Sequence, residues 1–178
     1  MNMEQDPGRL LARGVMRHLM HHGFVTMEQF VPSPGLRVDV MALGPKGEFW
    51  IIECKSGLAD FRSDTKWHRY LEFCDQFLWA VDTSFPIDVL PTDTGLIIAD
   101  GFDASIERSA PCIPSNPLHA SRRKALTLRF ARTAAQRLRV VHDPPSVRRF
   151  APEGDHDRYP DGAARRSLFS TQALGRAD

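Results

Sequence analysis

Hydrophobic and polar positions divide this chain into a helical stretch, a block of strands and a second long helical stretch. Leu11, Val15 and Leu19 recur every four residues within 7–22, the spacing that puts apolar side chains on one face of an α-helix. Pro7 suits the first turn of that helix and Gly23 its end. Arg9, Arg13 and Arg17 form a parallel stripe elsewhere on it. Residues 24–31, Phe-Val-Thr-Met-Glu-Gln-Phe-Val, are strand formers, and Pro32-Ser33-Pro34-Gly35 marks a turn. Residues 36–43 and 48–55 read as two more strands. Gly44-Pro45-Lys46-Gly47 lies between them and folds them into a hairpin.

A helix is expected from about Asp60, with Asp60 as N-cap and Trp67, Tyr70, Leu71 and Cys74 on its buried face. Residues 77–81 and 95–100 read as buried strands separated by a proline-bounded loop, and 104–109 pairs with the second of them. Residues 112–120 form a loop with two prolines, and a helix covers about 121–141. The order is α-β-β-β-α-β-β-β-α, which is an α/β fold with a mixed central sheet flanked by helices. From Asp143 onward the chain is rich in Pro, Gly, Arg and Asp without periodicity. The expectation is one domain over 1–142 and a disordered tail over 143–178.

Composition narrows the class. A chain of 178 residues that is 42% hydrophobic can build one core. The net charge of +1 does not by itself call for a nucleic acid. Cys54, Cys74 and Cys112 are widely spaced, with no zinc-ligand or disulfide pattern, which fits a reducing compartment. The basic first residues do not read as a signal peptide, and no apolar run nears the ~18–20 residues of a membrane span. The expected location is the cytoplasm.

Candidate chemistry lies on the hairpin. Asp39 precedes Glu53 by 14 positions, and Glu53-Cys54-Lys55 completes a D…ExK pattern. Glu53 and Lys55 are two apart on a strand, so they point the same way. The hairpin brings Asp39 beside them. Two carboxylates can hold a divalent cation through oxygen, and a neighbouring lysine can orient or help deprotonate an attacking water. The pattern is loose, and an exposed hairpin ending in an ordinary Glu–Lys pair also satisfies it. Trp50-Ile51-Ile52 argues against that, because charges interrupting a buried strand need partners or a metal.

Certain longer runs carry a resemblance. They are Arg37-Val38-Asp39-Val40, Ile51-Ile52-Glu53-Cys54-Lys55-Ser56, Asp60-Phe61-Arg62-Ser63-Asp64-Thr65-Lys66-Trp67-His68-Arg69-Tyr70, and Cys74-Asp75-Gln76-Phe77-Leu78-Trp79-Ala80-Val81. Over most of 7–142 the chain resembles the MmcB family of bacterial DNA repair proteins, within the PD-(D/E)xK restriction-endonuclease-like superfamily. The Asp-Phe-Arg run through Cys-Asp is the specific part. The resemblance implies a nuclease-like core and DNA repair, with Mg²⁺ or Mn²⁺ held by Asp39, Glu53 and the backbone carbonyl of Cys54. It also implies a catalytic water assisted by Lys55. Val38 stands where the superfamily name has Pro. For a further acid on the site, Glu28 is the better candidate. Lys66 with Tyr70 occupies the place of a Gln-x-x-x-Tyr motif found in exonuclease-like relatives, and a lysine there can meet phosphate but accepts no hydrogen bond.

Phosphate-binding candidates are Arg37, Arg62 and Lys66 near the site, and Arg122, Arg129 and Arg132 on the last helix. Residues 118–142 hold seven Arg or Lys and no Asp or Glu, with Leu126, Phe130, Ala134, Leu138 and Val141 as the expected buried face. A stripe of one sign is an electrostatic footprint for DNA. The leading expectation is a Mg²⁺-dependent DNA nuclease in repair. The alternatives are a nuclease-fold module that binds DNA or a repair partner without cutting, and a scaffold with no DNA affinity. A homodimer is compatible with the sequence, but no dimer seam is legible in it.

Overall fold

A computed structural model describes residues 6–111 and 118–144. The expected disordered tail over 143–178 lies almost wholly outside the described residues, as do Cys112 and most of the expected 112–120 loop. The centre is a six-stranded mixed sheet whose spatial order follows the chain: β1 (Val25–Ser33), β2 (Leu36–Leu43), β3 (Phe49–Lys55), β4 (Gln76–Val81), β5 (Gly95–Ala99) and β6 (Ala104–Arg108). The pairs β1–β2, β2–β3 and β5–β6 are antiparallel. The pairs β3–β4 and β4–β5 are parallel and therefore need crossovers. The first crossover contains α2 (Leu58–Ser63) and a 3₁₀ helix, Trp67–Phe73. The central strands β3 and β4 are buried along nearly their whole length, which explains their unbroken apolar runs.

One face of the sheet is covered by α1 (Pro7–His21), capped by Asp6, whose carboxylate accepts the Gly8 N–H at 3.1 Å. Leu11, Ala12, Val15 and Leu19 pack there on Val40, Ile52, Cys54, Leu78, Ala80 and Ile97, and α1 touches all six strands. Its closest approach is at Gly14, where a Cβ would collide with the carbonyl oxygens of Asp100 and Asp103. Arg13 donates to the Gly101 carbonyl at 2.7 Å and Arg17 to that of Phe102 at 3.4 Å. Two members of the arginine stripe thus fasten the β5–β6 turn.

The other face holds the larger core, with Phe30, Val38, Met41, Phe49, Ile51, Tyr70, Cys74, Phe77 and Trp79. It is closed by Leu126 and Phe130 from α3 (Ala120–His142).

Two helical expectations change. Asp60 is not an N-cap: Gly57 holds that position without a side-chain bond. The helix also stops at Ser63. At Asp64 the backbone turns extended (φ −84°, ψ 93°), and the Asp64 carboxylate accepts the Lys66 N–H at 3.0 Å in place of a helical bond. Asp60, Arg62, Asp64 and Lys66 therefore do not share one helix. On α3 only Leu126 and Phe130 are buried, while Ala134, Leu138 and Val141 are exposed. The second half of the helix meets β1 through Arg137, which donates to the Glu28 carbonyl at 2.7 Å, and not through an apolar face.

Candidate functional site

The site arises where the β-ladder fails. Residues three apart on a regular strand face opposite sides, yet Met27 and Phe30 on β1 share one cluster, as do Val38 and Met41 on β2. Between the first two, Gln29 has φ 48°, a conformation that costs a non-glycine residue roughly 1–2 kcal/mol. Arg137 braces the kink from α3, donating to the carbonyls of Glu28 at 2.7 Å and Gln29 at 3.2 Å.

The β2–β3 ladder runs from Leu43↔Phe49 to Val40↔Ile52 and ends there. Asp39 and Glu53 are the next pair in register, and their side chains take over the bonds the backbones no longer exchange. Glu53 Oε1 accepts the Asp39 N–H at 3.1 Å, and Asp39 Oδ2 accepts the Cys54 N–H at 2.9 Å. Gln29 Nε2 donates to Asp39 Oδ1 at 3.1 Å. Lys55 Nζ lies 3.8 Å from Glu53 Oε2 and 2.7 Å from Asp64 Oδ2. Glu53 and Lys55 are only 4% and 6% exposed, so this is a buried cluster and not a solvated pair at a hairpin tip.

Its electrostatics are unbalanced. Burial, followed by the charge of Asp39, pushes the Glu53 carboxyl up to about 8. Burial also raises Asp39, although the Cys54 N–H, Lys55 and Gln29 pull the other way. For Lys55, burial opposes the charge. The hydrogen bond and charge of Asp64, joined by Glu53, outweigh it and leave the ammonium above its ordinary value. Lys55 is therefore a held cation. The Cys54 thiol is driven well above its usual range, by burial first and then by the neighbouring acids. It packs on the α1 face, so the thiol does not join the Glu53 and Lys55 side chains on the other face of β3.

Two cavities meet at Lys55 and Asp60, which line both. The larger, about 730 Å³, also takes in Arg37, Ser63, Asp64, Lys66 and Tyr70. The smaller, about 230 Å³, takes in Arg9, Glu28, Gln29, Asp39 and Glu53. Among the described residues, no three His, Cys, Asp or Glu side chains converge closely enough to hold a metal alone. The donor set on offer is two carboxylates and a carbonyl, all hard oxygens. That suits a cation such as Mg²⁺, which keeps several waters and uses few protein ligands.

The structure brings together Asp39, Glu53, Cys54 and Lys55, with Arg37 and Lys66 beside them. Glu28 lines the smaller cavity. Arg62 is exposed and lines neither cavity, and Arg122, Arg129 and Arg132 also line neither. Sequence reasoning missed Gln29 and Asp64. Gln29 could have been found only from the β1–β2 register, which sets it opposite Asp39. Asp64 stands in the run that carries the family resemblance, but nothing in its position showed that it pairs with Lys55, because it arrives from the crossover.

Fold and site together define an α/β protein whose mixed sheet carries a buried acid–acid–lysine cluster at the end of a central hairpin. Residues 4–145 match the MmcB-like family of DNA repair proteins. The chain belongs to that family, and its role is in DNA repair. Among solved structures it is similar to the SPO1766 protein of unknown function from Silicibacter pomeroyi, with 54% identity, a TM-score of 0.77, and coverage of 84% of this chain and 100% of that one. No curated protein matches the chain. No helix among the described residues is long and apolar enough to cross a membrane.

Proposed function

We propose that the chain hydrolyses DNA phosphodiester bonds, using Mg²⁺ or Mn²⁺ held by the carboxylates of Asp39 and Glu53 and the carbonyl of Cys54. The observation that carries this reading is the burial of two carboxylates side by side with one lysine, Glu53 being pushed up to about 8. Groups arranged to repel one another are costly unless something positive sits between them. A bound divalent cation supplies that charge and polarises a phosphoryl oxygen.

The chain's own groups do the rest. Lys55, kept protonated and fixed by Asp64, orients the attacking water and faces the charge that develops on the phosphate. Gln29 and the Cys54 N–H hold the Asp39 carboxylate in a single orientation. Arg37 and Lys66 grip the flanking phosphates in the larger cavity. Phosphate contacts carry no sequence information directly, so little sequence preference is expected.

The test is a cleavage assay on labelled single-stranded, duplex, nicked and branched DNAs with Mg²⁺ or Mn²⁺. Wild type is compared with Lys55→Ala. Metal-dependent cutting that drops about 100-fold or more in the variant supports the reading. If neither protein cuts but both retard DNA, the chain is a nuclease-fold binding module.

A further inference from the structure

The seven basic residues of 118–142 divide into two sets. Arg123 grips Asp75 through both terminal nitrogens, at 2.8 and 2.6 Å. Arg122 donates to the Glu72 carbonyl at 2.8 Å, Arg129 to that of Val31 at 3.3 Å, and Arg137 to Glu28 and Gln29. These four turn inward and fasten α3 to the sheet and the crossover, so Arg122 and Arg129 do not stand free on an outer face as the sequence pattern suggested. Lys124 and Arg132 have no hydrogen-bond or ion-pair partner among the described residues, and Arg139 reaches only Asp143, 3.4 Å away and just past the end of the helix.

The free set shares a side of α3 with Leu128, Ala131, Ala135 and Leu138. Those four follow the 3-4-3 spacing of a heptad seam, and all are exposed, Leu128 by 56% and Leu138 by 58%. The seam runs for about 15 Å, at ~1.5 Å per residue. The fold does not need it, since Leu126 and Phe130 already close the core from the opposite side of the helix.

We propose that this outer face of α3 docks an acidic amphipathic helix of a partner protein. Apolar side chains of the partner seat along Leu128, Ala131, Ala135 and Leu138, and the two alanines let the helix axes approach closely. Its Asp or Glu residues meet Arg132 and Arg139 along one flank and Lys124 at the N-terminal end of the seam. Charge complementarity selects this occupant. The same helix of a second copy would bring only like charges, because 118–142 contains no acid. A DNA backbone would match the cations and leave the leucine row unsatisfied. An amphipathic helix laid on an apolar strip satisfies both. None of these four apolar residues lines either cavity at Lys55, so the inference stands apart from the nuclease reading.

The test introduces a photo-crosslinking amino acid at Ala135 of the full chain in its native cells, and mass spectrometry identifies the joined peptide. That peptide is then synthesised and titrated against wild type, Leu128→Ser/Leu138→Ser and Arg132→Glu/Arg139→Glu, each checked for an unchanged melting temperature. The expected result is a net-acidic segment with apolar residues at heptad spacing. Its affinity should fall at least about tenfold in both variants and recover in the arginine variant when the peptide's acids are changed to lysine. A crosslink to DNA, to a second copy or to a segment lacking that pattern overturns the proposal, as does the absence of any crosslink.

Discussion

β3 meets charge at both of its ends. Beside its first residue, Asp75 accepts the Phe49 N–H at 2.7 Å and pairs with Arg123, which also donates to the Gly47 carbonyl at 2.7 Å. At its last residue, Lys55 alone faces Glu53 and Asp64, with Asp39 across the hairpin from Glu53. The first cluster pairs one acid with one base, and both Asp75 carboxylate oxygens accept hydrogen bonds. Although burial opposes it, the Arg123 and Phe49 bonds hold Asp75 below the usual carboxylate range. In the second cluster acids outnumber the base, and Glu53 is pushed up to about 8. Balanced charge of the first kind secures the meeting of α3, the hairpin turn and the crossover. Unbalanced charge of the second kind costs stability, and the proposed metal and substrate would give it a use.

The sharpest way to break this contrast is Glu53→Gln. It should abolish metal-dependent cleavage, by about 100-fold or more, while raising stability. The two effects have opposite signs because the carboxylate that burdens the fold is, in the proposed mechanism, the one that holds the metal.

The pH dependence of stability follows the same division. In metal-free protein the folded state keeps the Glu53 proton from its ordinary 4.5 up to about 8, while the unfolded chain releases it. Stability should therefore fall as pH rises across that window, by roughly 2–5 kcal/mol at ~1.4 kcal/mol per pKa unit. Urea unfolding at pH 5 and pH 8 measures the fall, and in Glu53→Gln it should flatten. Asp75 behaves oppositely. Its folded value lies below 3.8, so its contribution is present above that pH and is lost as the pH drops through the folded value.

Asp75→Ala comes next. It should cost about 2 kcal/mol by stranding the Phe49 N–H and Arg123, a figure discounted because the pair is partly exposed. Cleavage per folded molecule should be unchanged, and a loss of activity at full folding would remove the distinction between the two ends. The smallest effect is expected from Arg137→Ala, about 0.5–1 kcal/mol in melting experiments. A few-fold loss of cleavage should accompany it, because the Gln29 kink and its bond to Asp39 lose their brace.

Much of this was legible in the chain. The β2–β3 hairpin was readable from its apolar runs and the Gly-Pro-Lys-Gly turn, and one register then sets Asp39 opposite Glu53. The central strands announced themselves as unbroken apolar segments. The kink at Gln29 was not legible, because a positive φ at a glutamine is imposed by neighbours, here Arg137 and the cores on either side. The short α2 was also hidden. Its sequence reads as a longer helix until the Asp64 carboxylate takes up the Lys66 N–H. The arginines of α3 looked like one stripe because periodicity cannot tell a guanidinium that folds back onto a carbonyl from one that faces water.

The sequence by itself therefore determined the order of elements, the pairing of Asp39 with Glu53 and the common direction of Glu53 and Lys55, since these depend on strand geometry and local turns. Only the tertiary structure decided how many acids surround Lys55 and how little water reaches them. Asp64 comes from a crossover and the covering layers come from α1 and from the opposite face, and a carboxylate's pKa answers to everything packed around it, however distant in the chain.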